Sequence, residues 1–140
     1  MCGEIDESVL VGQEMLDRFR AMANGMDLPA QAIPGDGPAG LAEEEGRAAY
    51  MEKIFCSGLA RALEDISRAE EDETVDALAA QAISLARLAG FLAGQLPPEA
   101  DLFRALVDAI SAGHAEPKKW TEAKRREHDQ HHGHTHDHHH

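Results

Sequence analysis

Between Val75 and Leu96 the chain carries Val75, Leu78, Ala82, Leu85, Leu88, Ala89, Leu92 and Leu96, and Arg87 is the only charged residue after Asp76. Steps of three, four and seven match the 3.6-residue period of an α-helix. A helix apolar on most sides is either central in a bundle or shared between subunits. Gln81, Ser84, Arg87 and Gln95 interrupt the run and no aromatic belt flanks it, so a membrane span is not the expected use. Pro97 and Pro98 close it.

Three further segments read as amphipathic helices. Ile5 to Met26 places Ile5, Val9, Leu16, Phe19, Ala23 and Met26 on one face, with Asp6, Glu7 and Ser8 at its start and Gly25 as its terminator. Ala42 to Ala69 opens on Glu43, Glu44 and Glu45 and carries Ala48, Met51, Phe55, Leu59, Ala62 and Ile66 as its stripe. Gly58 interrupts that stripe, where a kink or a close helix crossing would fit. The acidic turn Glu70 to Glu73 leads into the third helix, with Thr74 as a candidate cap. The fourth helix starts near Pro98, with Glu99 and Asp101 beside its positive end. It would bury Leu102, Phe103, Leu106, Val107 and Ile110 and stop at Gly113. His114 would then sit at a helix C-terminus, favoured by the dipole when charged.

The expected fold class is all-α, a small bundle of about four helices followed by a disordered His-rich C-terminal tail. Only 4% of residues are aromatic and alanine is abundant, which suits closely approaching helices better than a sheet sandwich. The expected organisation is a helical domain over 1–113, a basic linker or short helix over 114–127, and the tail over 128–140. Within the domain, residues 27–40 (DLPAQAIPGDGPAG) form a long Pro/Gly loop that excludes helix and central strand. It lacks the Gly-Lys-Ser/Thr of a phosphate-binding loop.

The formal charge of −13 repels phosphate backbones, so no nucleic acid is expected as a partner of the body. Cys2 and Cys56 make no metal-binding or redox spacing, and Cys56 is expected as a small buried hydrophobe on an apolar helix face. No apolar leader accompanies Cys2, and cytoplasmic residence without a membrane partner is the expectation.

The last ten residues read HHGHTHDHHH, seven of them histidine. Neutral imidazole is a good ligand for nickel, zinc, cobalt and copper. The candidate metal-ligating residues are His128, His131, His132, His134, His136, Asp137, His138, His139 and His140. Alternating histidines in an extended strand project to one side, and Asp137 adds an oxygen donor. Ligation needs deprotonated imidazole, so affinity should fall on acidification.

This tract resembles the histidine-rich regions of bacterial nickel and zinc accessory proteins, such as those that supply hydrogenase, urease or carbon monoxide dehydrogenase. The resemblance covers the last dozen residues and is one of composition. It implies buffering or delivery of a divalent transition metal, nickel or zinc, to a metalloenzyme or accessory partner. The nucleotide-binding loop of the GTP-dependent accessory proteins is absent from this sequence.

Catalysis is not expected. The acidic clusters sit at helix starts, where capping explains them, and no Glu-x-x-His pair of the di-metal helical bundles occurs. The expectation is therefore a non-enzymatic metal-binding protein, with the body supplying partner recognition and homodimerisation. The competing expectation is a helical protein-interaction or regulatory module whose tail is incidental or an expression artefact.

Overall fold

The computed structural model describes residues 7–28 and 37–132, with no account of the side chains of residues 7, 8 and 132. Four α-helices make up almost all of it: α1 (Glu7–Asn24), α2 (Glu44–Ser67), α3 (Thr74–Ala93) and α4 (Phe103–His132). Short 3-10 turns at Glu71–Glu73 and Pro98–Ala100 precede α3 and α4, and no strand occurs among the described residues. The protein is all-α, as the periodicity requires. It divides into two compact units, Met1–Leu88 and Ala89–His140.

In the first unit, α1 ends where expected. Gly25 donates its N–H to the carbonyls of Ala21 and Met22 (3.3 and 3.1 Å), and Asp27 then takes a left-handed conformation with φ 47°. The half-buried positions of α1 are Gly12, Met15, Phe19 and Ala23, whereas Val9 and Leu16 are exposed. The covered face is thus rotated from the expected one and shares only Phe19 and Ala23 with it.

Of the expected 27–40 loop, residues 29–36 lie outside the described residues. Gly40, at φ 69°, turns the chain into α2, and its carbonyl accepts from the Glu43 N–H at 3.2 Å. The Arg47 guanidinium reaches back to donate to the carbonyls of Leu41 and Ala42, both at 3.0 Å. These bonds occupy acceptors that the loop would otherwise leave to water.

α2 and α3 form an antiparallel hairpin across the acidic turn. Gly58, Arg61, Ala62 and Asp65 of α2 and Ala80, Gln81, Ser84 and Leu85 of α3 line one open depression, and Gln81 Nε2 donates to the Ala62 carbonyl at 3.4 Å. Half-burial concentrates beside the turn, at Ala62, Ile66, Ala69, Thr74, Ala77 and Gln81. Thr74 does not cap α3 as expected; its hydroxyl donates back to the Glu70 carbonyl at 3.2 Å. The expected α2 stripe is corrected too: Met51, Phe55 and Leu59 remain exposed. No close crossing occurs at Gly58, since a Cβ there would meet nothing within 4 Å.

In the second unit, α3 unwinds after Ala93 through bonds from Gly94 to Gly90 (2.9 Å), Gln95 to Leu92 and Leu96 to Ala93 (both 3.1 Å). Gln95, 8% exposed, is the one buried residue among the described residues, and its Nε2 donates to the Phe91 carbonyl at 3.3 Å. Pro98 starts the separate 3-10 turn rather than α4 itself. The α4 start is set by Asp101, whose Oδ1 accepts from the Phe103 N–H at 2.9 Å in the manner of an N-cap. Of the expected α4 core face only Leu106 is half-buried; Leu102, Phe103, Val107 and Ile110 are exposed.

The largest departure from expectation lies further along. α4 does not stop at Gly113 but continues for 30 residues in all, through His114 and Pro117 to His132. A glycine ends a helix by turning left-handed, and Gly113 does not take positive φ. Beyond it, KKWTEAKRRE is built largely from strong helix formers. Lys124 Nζ lies 5.3 Å from the Trp120 ring centroid one turn away, a cation–π contact along the exposed surface. Residues 114–127, expected as a basic linker or a short helix, are helical and form the middle of α4, and His114 lies inside that helix rather than at its end.

Candidate metal-binding segment

The histidine tract begins inside α4. His128 and His131 are exposed on its last turns, three residues apart, and His132 is the last helical residue. Residues at i and i+3 are surface neighbours on a helix, with Cβ atoms about 5–6 Å apart, a span that two imidazoles can close on one ion. Of the expected 128–140 segment, residues 128–132 belong to α4. The remaining candidates, His134, His136, Asp137, His138, His139 and His140, lie outside the described residues. Among the described residues no group of three or more His, Cys, Asp and Glu side chains is assembled that could hold a metal.

The surroundings of His128 and His131 are set by α4's composition. Lys118, Lys119, Lys124, Arg125 and Arg126 precede them on the same helix and are exposed. This local positive charge opposes cation approach, in contrast with the acidic remainder of the chain. Neutral imidazole donors tolerate such a setting because ligation rests on lone-pair donation and not on charge.

Other chemistry-bearing groups do not converge on this segment. Cys56 is exposed on α2, which corrects the expectation of a buried hydrophobe. Its Sγ donates to Glu52 Oε1 at 3.6 Å. Local desolvation, then the charge and hydrogen bond of Glu52, push the thiol above its ordinary value, so the sulfur is held protonated. Glu52 lies one turn upstream of Cys56 on α2. A depression of about 440 Å³ is lined by Gly90, Ala93, Leu96, Phe103 and Leu106, with Asp101 its single ionisable group. One carboxylate occupied in capping a helix offers no acid–base pair.

Compared with known proteins, the chain matches no family model, no curated protein and no solved structure.

Proposed function

We propose that this protein binds a divalent transition metal, nickel or zinc, through the histidines from His128 onward, and holds it for storage or for delivery to a metalloenzyme or accessory partner in the cytoplasm. The observation that carries this reading is the continuity of α4 into the tract, with His128 and His131 exposed on consecutive turns. A helix that presents the first imidazoles fixes two donors before the remainder of the tract is recruited, which lowers the ordering entropy of the site. The metal is cargo, and no chemical step on it is assigned to this chain.

Calorimetric titration of the full chain with nickel and with zinc tests the reading. The expected result is uptake that weakens on acidification, because protons compete for the ligands. Replacing His128, His131, His132, His134, His136, His138, His139 and His140 with alanine should remove most uptake and leave the helical circular dichroism unchanged. Uptake by that variant equal to the parent would place the ligands in the helical body and reject the reading.

A second reading, a helical interaction module, is favoured by the large apolar side chains exposed on every helix. Removal of residues 128–140 without loss of metal-dependent behaviour would favour it.

A further inference from the structure

We infer that metal uptake is coupled to the helical state of α4 beyond Pro117. An ion held between His128 and His131 clamps the last turns of the helix, and unwinding those turns loosens the ion. The inference rests on the metal binding proposed above and assigns its regulation.

The distal half of α4 has little to hold it helical. Every residue from 116 to 131 is exposed. No buried apolar face stabilises this stretch, so its helicity depends on backbone bonds and on contacts between neighbouring turns. Pro117 removes one of those bonds at the root of the stretch, and Gly113 lies one turn before it. The surface contact of Lys124 with Trp120 restores only a small part. An isolated helix of about 12–15 residues is marginal in water, and the run from Lys118 to His132 is of that length.

A clamp needs two ligands that meet in the helix and part outside it. His128 and His131 are both exposed and three residues apart. While the helix lasts, that spacing keeps their Cβ atoms about 5–6 Å apart on one face. Zinc takes an imidazole nitrogen at about 2.0–2.1 Å, so both rings can reach one ion. In an extended chain the same two positions lie about 10 Å apart and point to opposite faces. Bending that chain to reunite them costs backbone entropy. Register places His132 four residues after His128, a second spacing that the helix closes and an extended chain opens.

An ion that binds the helical form more tightly than the unwound one shifts the equilibrium towards helix by the ratio of the two affinities. By reciprocity, unwinding α4 beyond Pro117 weakens the hold on the ion by the same factor. A protein that surrenders its metal thereby gains a route to release that needs no competition for the ligands. The rival arrangement is a chain that unwinds to wrap the ion with more imidazoles, and it has the opposite sign.

Amide hydrogen exchange of the full chain, with and without saturating nickel or zinc, reads the coupling, and calorimetry on the same samples measures uptake. Exchange over residues 118–131 should slow by about fivefold or more on loading, while exchange over α2 stays unchanged. The variant His128→Gln/Gln130→His keeps the composition and the number of imidazoles, but leaves no two of them three or four residues apart between positions 128 and 132. It should still take up metal, and the slowing should vanish. Uptake by the parent with unchanged or faster exchange overturns the clamp and leaves the metal-binding reading standing. So does a slowing that persists in the register variant. A parent that takes up neither metal overturns both.

Discussion

Gln81 Nε2 donates to the carbonyl oxygen of Ala62 across 3.4 Å, a side-chain hydrogen bond that joins α2 to α3. The acceptor is a backbone carbonyl already inside a helix, so the bond uses its second lone pair and does not compete with the α2 ladder. Gln81 is half-buried, which keeps water from replacing the contact freely. Its removal by Gln81→Ala should destabilise the hairpin by about 0.5–1 kcal/mol, at the low end because the bond is long. Urea denaturation should show a lower midpoint with an unchanged slope.

The two glycines of α2 should respond in opposite directions to alanine. A Cβ at Gly46 would run into the backbone carbonyl of Gly40, whose left-handed turn cannot easily move. Gly46→Ala should cost about 1–3 kcal/mol through overpacking. At Gly58 an added methyl meets nothing within 4 Å, so Gly58→Ala should gain up to about 1 kcal/mol from helix propensity. Thermal melts of both variants beside the parent measure the difference.

Cys56 should be a slow thiol. Its sulfur donates to Glu52 at 3.6 Å, and the raised pKa lowers the thiolate fraction at any pH below it. Glu52→Gln removes the negative charge and should bring that pKa down. Alkylation of Cys56 by iodoacetamide near pH 8 should then be faster than in the parent, with Cys2 replaced by serine in both. The two rates should converge at higher pH, where both sulfurs are ionised. Equal rates across the whole range would show that Glu52 does not control the thiol.

Pro117 is the weak point of α4. It lacks the N–H that would bond to the Gly113 carbonyl four residues back, and its ring crowds that carbonyl. Thr121 adds a competing bond, its hydroxyl donating to the Pro117 carbonyl at 2.8 Å. Pro117→Ala should stabilise the helix locally by up to about 3 kcal/mol. Amide hydrogen exchange over residues 114–131 is the readout, and slower exchange in the variant is the expected result.

The ion pair of Arg68 with Glu64 at 2.6 Å joins two side chains that are 73 and 61% exposed, one turn apart on the helix surface. Arg68→Ala should change stability by less than about 0.5 kcal/mol, because solvent screens the pair and ordering it costs side-chain entropy. A larger loss in a denaturant titration would mean that Arg68 has a further role.

Residue periodicity alone determined that this chain is helical, and it located α1, α2 and α3 to within a few residues, because the 3.6-residue repeat of Leu78, Leu85, Leu88 and Leu92 is a property of the local backbone. It also located the candidate imidazole ligands, His128 to His140, since their chemistry depends on composition more than on fold. Which faces become covered was a different matter. The stripe Met51, Phe55 and Leu59 has the period of a buried face, yet half-burial in the α2–α3 hairpin concentrates at Ala62, Ile66, Ala69, Thr74, Ala77 and Gln81 beside the turn, where the short connection holds the two helices together, and the stripe residues further from it stay exposed. Only the three-dimensional structure decided this, along with the passage of α4 through Gly113 and Pro117. A helix end is a competition between one or two unfavourable residues and the formers on either side, and here Lys118 to Glu127 prevail and carry His128 and His131 on a helical frame.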